Sequence, residues 1–164
     1  DKWSNGIIAR VFPFEACLDK VVGDCLILLF GPPFYQQTPD EIVNKLLKSA
    51  EIIVDFTSEF LNLPENRDIQ EHPDFSRFGV AIGVNFCPAV VGLIGPNDDL
   101  TAFSSGMNIT ARLQGLAKAN QILITEQVRE IIGDSSEWQF QGPESAPVKN
   151  VARPLVYYQL LNQK

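Results

Sequence analysis

The sequence predicts an α+β domain in which helices pack on a mostly antiparallel sheet. The first observation is a pair of β-rich runs, residues 17–22 and 25–30, on either side of Gly23-Asp24, a dipeptide typical of tight hairpin turns. The second is a long helical pattern that starts after Thr38. The third is the order of the predicted elements, which is hairpin, helix, hairpin, helix, strand, helix and strand.

The first half of the chain carries a strand, the first hairpin, a long helix and a loop. Residues 6–12 are interpreted as the strand, which Pro13 interrupts. The long helix opens with T-P-D-E at residues 38–41, a capping box with proline at the first helical position. Residues 62–76 are polar, contain two prolines and predict a loop. Apolar residues at helical spacing extend the helix: Ile42, Val43, Leu46, Leu47, Ala50, Ile53 and Val54.

The second half of the chain alternates short strands with short helices. Residues 79–85 and 89–94 are two β-rich runs, and together they predict a second antiparallel hairpin. The next helix is expected to turn Ile109, Leu113 and Leu116 toward the core. The remaining predicted elements are a helix over residues 108–119, a strand over 121–125, a helix over 126–132 and a closing strand over 155–161.

The composition fits one domain that covers residues 1–164, and it limits the partners of that domain. A hydrophobic share of 45% is enough for a core, and a net charge of −7 argues against a nucleic-acid partner. No apolar run approaches the ~20 residues that cross a bilayer, so this domain is expected to make no membrane contact. Three cysteines without metal spacing indicate free thiols, which predicts a reducing, cytoplasmic location.

Asn108 and Arg112 are four residues apart on a predicted helix and therefore share one face. Either this face is simply solvated, or it binds a ligand. In the second case the planar fork of Arg would match a phosphate, and the amide of Asn would orient a sugar oxygen. Asp24 in a Gly-Asp turn is usually structural, and a single Lys such as Lys20 is usually a surface residue. The residues alone leave these alternatives open.

Two separated motifs resemble those of the class III nucleotidyl cyclases. Residues 19–31, D-K-V-V-G-D-C-L-I-L-L-F-G, resemble the hairpin D-K-x-x-G-D-x-x-x-x-x-F-G of that family. Residues 91–95, V-G-L-I-G, then Thr101 and N-I-T-A-R-L-Q at residues 108–114, resemble the family's G-x-I-G followed by T-x-x-G-D-x-V-N-x-A-x-R-L. The resemblance covers roughly residues 15–160 and implies the ferredoxin-like catalytic core of the cyclases.

The resemblance implies an adenylate cyclase, which converts ATP into cyclic AMP and pyrophosphate. Asp24 would be one of two aspartates that hold the catalytic metal ions, with two Mg²⁺ or Mn²⁺ ions expected per site. Lys20 and Thr101 would contact the purine edge. The family uses Lys with Asp or Thr for adenine and typically Glu with Cys for guanine, so the resemblance favours ATP.

The remaining implied roles concern the ribose and the phosphates. Asn108 would position the ribose, Arg112 would stabilise charge on the α-phosphate, and Lys149 or Arg153 would approach the distal phosphates. Each active site of the family lies between two catalytic domains, one of which brings the metal aspartates and the other the remaining groups. Because this chain holds both types, the resemblance implies a head-to-tail homodimer with two sites, as the output of a larger sensory or membrane protein.

The chain departs from the family pattern in two places. No opening strand with the family's first metal aspartate precedes Lys20, and the two helices that normally follow that strand are missing. Either residues near 12–14 are missing from the sequence or the domain is truncated, and omission is favoured because such a loss would strip one side of the sheet. Ser104-Ser105 stands where relatives carry Gly-Asp. The alternatives are therefore a non-catalytic cyclase-like domain that regulates or dimerises, and a guanylate cyclase.

Overall fold

Helices and mostly antiparallel strands make up the chain, which confirms the predicted α+β class. The structure, a computed structural model, describes residues 2–96, 98–134 and 137–163, and of residues 99, 162 and 163 it describes the backbone alone. None of the described helices has the length and apolarity needed to cross a membrane. The helices are α1 (Lys2–Val11), α2 (Pro39–Leu61), α3 (Arg67–Gln70), α4 (Ser105–Gln114) and α5 (Glu126–Ile132). The strands are β1 (Cys17–Val22), β2 (Cys25–Leu29), β3 (Ile82–Val84), β4 (Val90–Ile94), β5 (Asp99–Phe103), β6 (Ile122–Thr125), β7 (Trp138–Ala146) and β8 (Leu155–Gln163).

The described strands form one four-stranded sheet and two separate hairpins. The order in the sheet is β3-β6-β8-β7, with β3 parallel to β6 and the other neighbours antiparallel. The hairpins are β1-β2, which turns at Gly23-Asp24 as predicted, and β4-β5. The predicted hairpin between residues 79–85 and 89–94 is wrong, because β3 pairs with β6 and β4 pairs with β5.

Asn85, directly after β3, links this strand to β6 and to α4. Its Oδ1 accepts a hydrogen bond of 2.9 Å from Thr125 Oγ1 at the end of β6. Its Nδ2 donates a bond of 3.0 Å to the carbonyl of Gly106 at the start of α4. Both partners are distant in sequence, so the local spacing that predicted the hairpin could not indicate these contacts.

The N-terminal segment is helix α1, so the strand predicted for residues 6–12 is wrong. Ile7 and Val11 lie one helical turn apart and both are buried, which is a helical rather than an alternating pattern. Gly6 lets α1 approach α2 closely, since a Cβ there would collide with the ring of Phe56. The packing of Ile7 and Val11 against α2 therefore favours a helix over a strand in this segment.

The expected opening strand is not among the described residues before β1. Helix α1 leads through a 3₁₀ turn at Phe12–Phe14 directly into β1. Glu15 follows this turn with a φ of 65° and reverses the chain direction. The omission of residues near 12–14 therefore stays a prediction.

Helix α2 begins as the sequence predicts. The Thr38 hydroxyl accepts from the Glu41 N–H at 3.3 Å, and the Glu41 carboxylate accepts from the Thr38 N–H at 2.8 Å. The bond from the Thr38 N–H lowers the pKa of Glu41 and keeps this carboxylate charged at the helix N-terminus. The cap fixes where this helix of 23 residues starts.

Two apolar cores lie along successive stretches of α2. The first core packs α2 on the sheet and α5, and the second packs α2 on α1 and the hairpin β1-β2. The first contains Val43, Leu47, Ala50, Val84, Ile122, Ile124, Val128, Ile132, Trp138 and Leu160. The second contains Ile7, Val11, Ala16, Ile53 and Phe56, with Leu26 and Leu28 packed against them.

Several boundaries differ from the prediction. The helix predicted over residues 108–119 is α4, which begins at Ser105 and ends at Gln114. Strands β5 and β7 were not predicted, because neither contains a run of β-branched residues. The loop predicted over residues 62–76 contains α3 and two 3₁₀ turns.

Helix α4 lies directly on β3 because residue 83 has no side chain. A Cβ at Gly83 would lie 2.6 Å from the backbone N of Gln114 and 2.7 Å from the carbonyl oxygen of Thr110. Backbone atoms cannot move aside as the end of a flexible side chain can, so only glycine permits this approach. Gly83 thereby sets the position of Asn108 and Arg112 relative to the sheet.

Gly83→Ala should lower the free energy of unfolding by about 1–3 kcal/mol, because the added methyl group overpacks the β3–α4 contact. Urea denaturation followed by circular dichroism measures this change. Gly115→Ala is the matched control, because a Cβ there meets its nearest atoms at 3.5 and 3.6 Å and φ is −66°. The control should be neutral or slightly stabilising, and equal effects of the two changes would contradict the role given to Gly83.

Candidate active site

Lys20 and Thr101 meet across the two hairpins although 81 residues separate them. Lys20 lies on β1 and Thr101 on β5, and Lys20 Nζ donates a bond of 2.5 Å to Thr101 Oγ1. With Asp19 and Leu100 they line an open groove of about 440 Å³. The Lys20 side chain is 38% exposed, so its ammonium can still reach a ligand in the groove. The structure thus brings the two expected base-contacting residues together.

Asp19 is a candidate to which the resemblance gave no role, although it is the first residue of the hairpin motif. None of its side-chain surface is exposed. Oδ1 accepts a bond of 3.0 Å from the Ala102 N–H on β5, and Oδ2 lies 3.2 Å from Lys20 Nζ. Within the described part of the chain Oδ2 has no hydrogen-bond partner, so its charge is balanced by the Lys20 ammonium. An acidic residue inside an apolar strand run is the signal that would have indicated it.

Helix α4 presents Asn108 and Arg112 on its exposed side. Ser104 caps the helix, since its hydroxyl accepts a bond of 3.0 Å from the Gly106 N–H and donates one of 2.5 Å to the Pro88 carbonyl. Neither the side chain of Asn108 nor that of Arg112 has a hydrogen bond or an ion pair with another described residue. Both side chains are therefore free to contact a ligand.

Asp24 lies exposed at the tip of the first hairpin. Gly23 before it has a φ of 62°, the left-handed conformation that favours glycine in a tight turn. The residues that the structure describes contain no group of three or more His, Cys, Asp or Glu side chains that could enclose a metal ion. A single exposed carboxylate still suits Mg²⁺, which proteins often hold by one or two carboxylates together with substrate phosphates. Asp24 therefore fits an ion that a triphosphate also binds.

Lys149 lies exposed in the segment between β7 and β8. No hydrogen bond or ion pair connects it with Asp24 or with Asn108 among the residues described here by the structure. Among the described residues, Lys20 and Thr101 are the members of the predicted set that a hydrogen bond joins. The other predicted site residues are exposed, namely Asp24, Asn108, Arg112 and Lys149.

The hairpin β4-β5 carries large apolar side chains on its surface. Val90 and Phe103 are opposite each other in the register and are 71% and 52% exposed. Leu93 and Ile94 on β4 are exposed as well. A cluster of exposed apolar residues on one element is typical of a surface that binds another protein chain.

A comparison with family profiles matches almost the whole chain. The profile described as Adenylate and Guanylate cyclase catalytic domain matches residues 18–162. This segment contains both motifs, the groove at Lys20 and helix α4. A comparison with curated protein sequences finds no match.

Solved structures with the same fold include cyclases of both base types. The adenylyl cyclase CyaB from P. aeruginosa is 21% identical with a TM-score of 0.81, over 99% of this chain and 80% of that one. The guanylyl cyclase Cya2 is 21% identical with a TM-score of 0.83, over 99% and 78%. The guanylate cyclase domain of RhGC from Catenaria anguillulae, in complex with GTP, is 17% identical with a TM-score of 0.69, over 99% and 81%. At such identities these likenesses establish the fold alone.

The Cys17 thiol should report its burial next to Asp19. Burial, and secondly the carboxylate of Asp19, raises the pKa of Cys17 above its usual value. Since only the thiolate is alkylated, the rate of Cys17 modification by iodoacetamide should rise with pH around a midpoint above that of the denatured protein. Peptide mass spectrometry after trypsin digestion measures the rate at Cys17 separately from that at Cys25. Equal midpoints in native and denatured protein would contradict the burial of Cys17 next to Asp19.

Proposed function

Because the chain belongs to the family of adenylate and guanylate cyclase catalytic domains, we propose that it is an adenylate cyclase that converts ATP into cyclic AMP and pyrophosphate. The observation that favours ATP over GTP is the hydrogen bond from Lys20 Nζ to Thr101 Oγ1 at the edge of an open groove. The roles of the individual residues follow from their chemistry and their exposure.

A lysine beside a threonine matches the Watson–Crick edge of adenine. Adenine presents a ring-nitrogen acceptor next to an amino donor, whereas guanine presents a carbonyl acceptor next to N–H donors. Lys20 can only donate, so it would bond the ring nitrogen, and the Thr101 hydroxyl can accept from the amino group. Guanine would need another acceptor for its ring N–H, but the neighbouring carboxylate of Asp19 is paired with Lys20. This donor and acceptor pattern supports ATP over GTP.

Asn108 and Arg112 would act on the ribose and on the α-phosphate. The 3′-hydroxyl oxygen forms a bond to the α-phosphorus, the bond from that phosphorus to its bridging oxygen breaks, and pyrophosphate leaves while the hydroxyl proton passes to water. Arg112 would hold the charge that builds on the α-phosphate through two parallel hydrogen bonds, and Asn108 would orient the ribose. Lys149 would offset the charge of the distal phosphates. The exposure of these side chains supports such contacts.

Asp24 would hold the divalent ions, two Mg²⁺ or Mn²⁺ per site, together with the triphosphate. Such ions supply Lewis-acid chemistry when bound, which favours loss of the 3′-hydroxyl proton and neutralises phosphate charge. The exposed carboxylate at the hairpin tip supports this role for Asp24. Phosphate oxygens and water would complete the coordination.

The active unit would be a head-to-tail homodimer with two sites at its interface. One protomer would supply Asp24 to each site, and the other would supply the base-contacting pair with Asn108 and Arg112. The exposed apolar side chains of Val90 and Phe103 offer a surface that such a dimer would bury. The free cysteines support a cytoplasmic location, as the output domain of a larger sensory or membrane protein.

A non-catalytic cyclase-like domain, which binds nucleotide or pairs with an active partner, is the second candidate function. It is favoured by Asp24, which belongs to no cluster of metal-ligating side chains within the described ranges. The exposed and unpaired Asn108 and Arg112 favour catalysis, because a domain with a purely structural role needs neither of them. An activity measurement separates the two candidates.

Cyclic AMP should form when the protein is supplied with ATP and Mn²⁺. The rate should rise more than linearly with protein concentration, because each site would need two chains. With GTP, kcat/KM should be at least about tenfold lower, since one charge-assisted hydrogen bond is mispaired. Chromatography of the nucleotides follows the product, and analytical ultracentrifugation gives the oligomeric state.

Three other outcomes of this measurement would change the proposal. No product from either nucleotide, with the protein folded and dimeric, would favour the non-catalytic domain. A higher kcat/KM for GTP would make the protein a guanylate cyclase. A rate that stays proportional to concentration where the dimer dissociates would contradict a site at the interface.

Asp24→Asn and Arg112→Ala should each abolish most activity alone and recover part of it when mixed. Loss of the Arg112 guanidinium should lower kcat by about 10²–10³-fold, as for other groups that stabilise transition-state charge. A mixed dimer has both changes in one site and neither in the other, so an equal mixture should recover about a quarter of the wild-type rate. Cyclic AMP formation is measured after subunit exchange.

Lys118→Ala is the control for the loss of a positive charge near Arg112. Lys118 lies just beyond α4 with an exposed side chain, so its removal should leave kcat unchanged. If the mixture of Asp24 and Arg112 variants stays as inactive as each variant alone, one chain supplies both groups to a site and the interfacial arrangement is wrong.

A further inference from the structure

We infer that Asp19 is a positioning residue that sets the base preference of the nucleotide site by holding the Lys20 ammonium against Thr101. This inference rests on the proposed function, because it concerns the purine side of the same site. It assigns a role to a buried carboxylate on which none of the proposed catalytic steps depends.

A bulge in β1 turns Asp19 and Lys20 toward the same neighbour. Leu18 is opposite Leu28, and Lys20 is opposite Ile27, so Asp19 is the extra residue of the strand. In a regular strand two adjacent side chains point to opposite faces. The bulge is therefore what allows both Asp19 and Lys20 to reach β5.

The Asp19 carboxylate makes a hydrogen bond through one oxygen and an ion pair through the other. Oδ1 takes the bond from the Ala102 N–H, and Oδ2 faces the Lys20 ammonium at 3.2 Å. The Ala102 amide cannot rotate, because β5 is paired with β4 at this position. The position of Oδ2 is thus fixed by backbone, and through Oδ2 the position of Lys20 Nζ is fixed in turn.

The ion pair also removes an acceptor from the groove, in which Asp19 is a lining residue. A carboxylate that faced the ligand could accept the ring N–H of guanine, but Oδ2 is directed to Lys20. What remains for a purine is one donor from Lys20 and the hydroxyl of Thr101. Asp19 therefore contributes to base selectivity in two ways. It fixes the Lys20 ammonium as a donor, and its own carboxylate does not accept from the base.

Asp19→Asn tests this role because it keeps an oxygen for the Ala102 N–H and removes the charge that faces Lys20. The ratio of kcat/KM for ATP to that for GTP should fall by about tenfold or more, because a displaced Lys20 ammonium would lose its charge-assisted hydrogen bond to adenine. The fall should appear in KM for ATP rather than in kcat, because the base is remote from the reacting atoms. Asp74→Asn is the charge-matched control, since Asp74 pairs with Arg77 on the surface and should leave the ratio unchanged.

A purely structural role for Asp19 would lower kcat/KM for both nucleotides by the same factor and leave their ratio at the wild-type value, and this result would overturn the inference. If Asp19→Asn does not fold, Asp19→Glu keeps the charge but displaces it by one methylene. The same fall in the ratio would then support the inference, and an unchanged ratio would overturn it.

Nucleotide binding separates this inference from the proposed function. Displacement of a fluorescent nucleotide analogue by ATP and by GTP gives a ratio of Kd values without turnover. If the wild type binds with a base preference but forms no product, catalysis is refuted, and a change of the Kd ratio in Asp19→Asn still supports the role of Asp19. If the wild type binds neither nucleotide, the proposed function and this inference both fail.

Discussion

The packing of helix α2 against two apolar cores is the interaction on which the rest of the structure depends. The described strands form three separate sheets, so backbone hydrogen bonds do not join the hairpin β1-β2 to the four-stranded sheet. Val43 and Leu47 of α2 are buried in one core, and Ile53 and Phe56 are buried in the other. Burial of these four side chains contributes roughly 6–12 kcal/mol, at 1.5–3 kcal/mol each. That free energy holds the hairpin β1-β2, which contains Lys20, against the same helix as the four-stranded sheet.

The candidate site is buried at Asp19 and exposed at Asp24, Asn108 and Arg112. Asp19, Lys20, Thr101 and the backbone amide of Ala102 form a chain of contacts around a carboxylate without solvent exposure. Removing Lys20 would leave that carboxylate buried without a countercharge, which is costly. Arg112 and Asp24 instead face solvent on different elements. Exposed groups on different elements are compatible with the proposed site between two chains.

Local patterns predicted the elements whose cause is local, and long-range contacts decided the rest. The capping box at Thr38 and the turn at Gly23-Asp24 are fixed by residues within a few positions of each other, so their sequence was sufficient. The parallel pairing of β3 with β6, and the bond between Asn85 and Thr125 beside it, join residues about 40 positions apart, which no local spacing encodes. The site followed the same rule. Its motif residues were predicted by resemblance, whereas the role proposed for Asp19 depends on a bulge that appears only when the strand is paired.

The serines at residues 104 and 105 depart from the family pattern but lie at the capped N-terminus of α4. The Ser104 hydroxyl accepts from the Gly106 N–H, so the first turn of α4 keeps the cap that a helix N-terminus needs. Glycine at residue 106 leaves room for Cys87, with which any side chain there would collide. The N-terminus of the helix is therefore capped, and the helix presents Asn108 and Arg112 four residues apart on its exposed side. Since the loss of the family's Gly-Asp removes neither the cap nor the exposed pair, that substitution gives no structural reason to regard the domain as inactive.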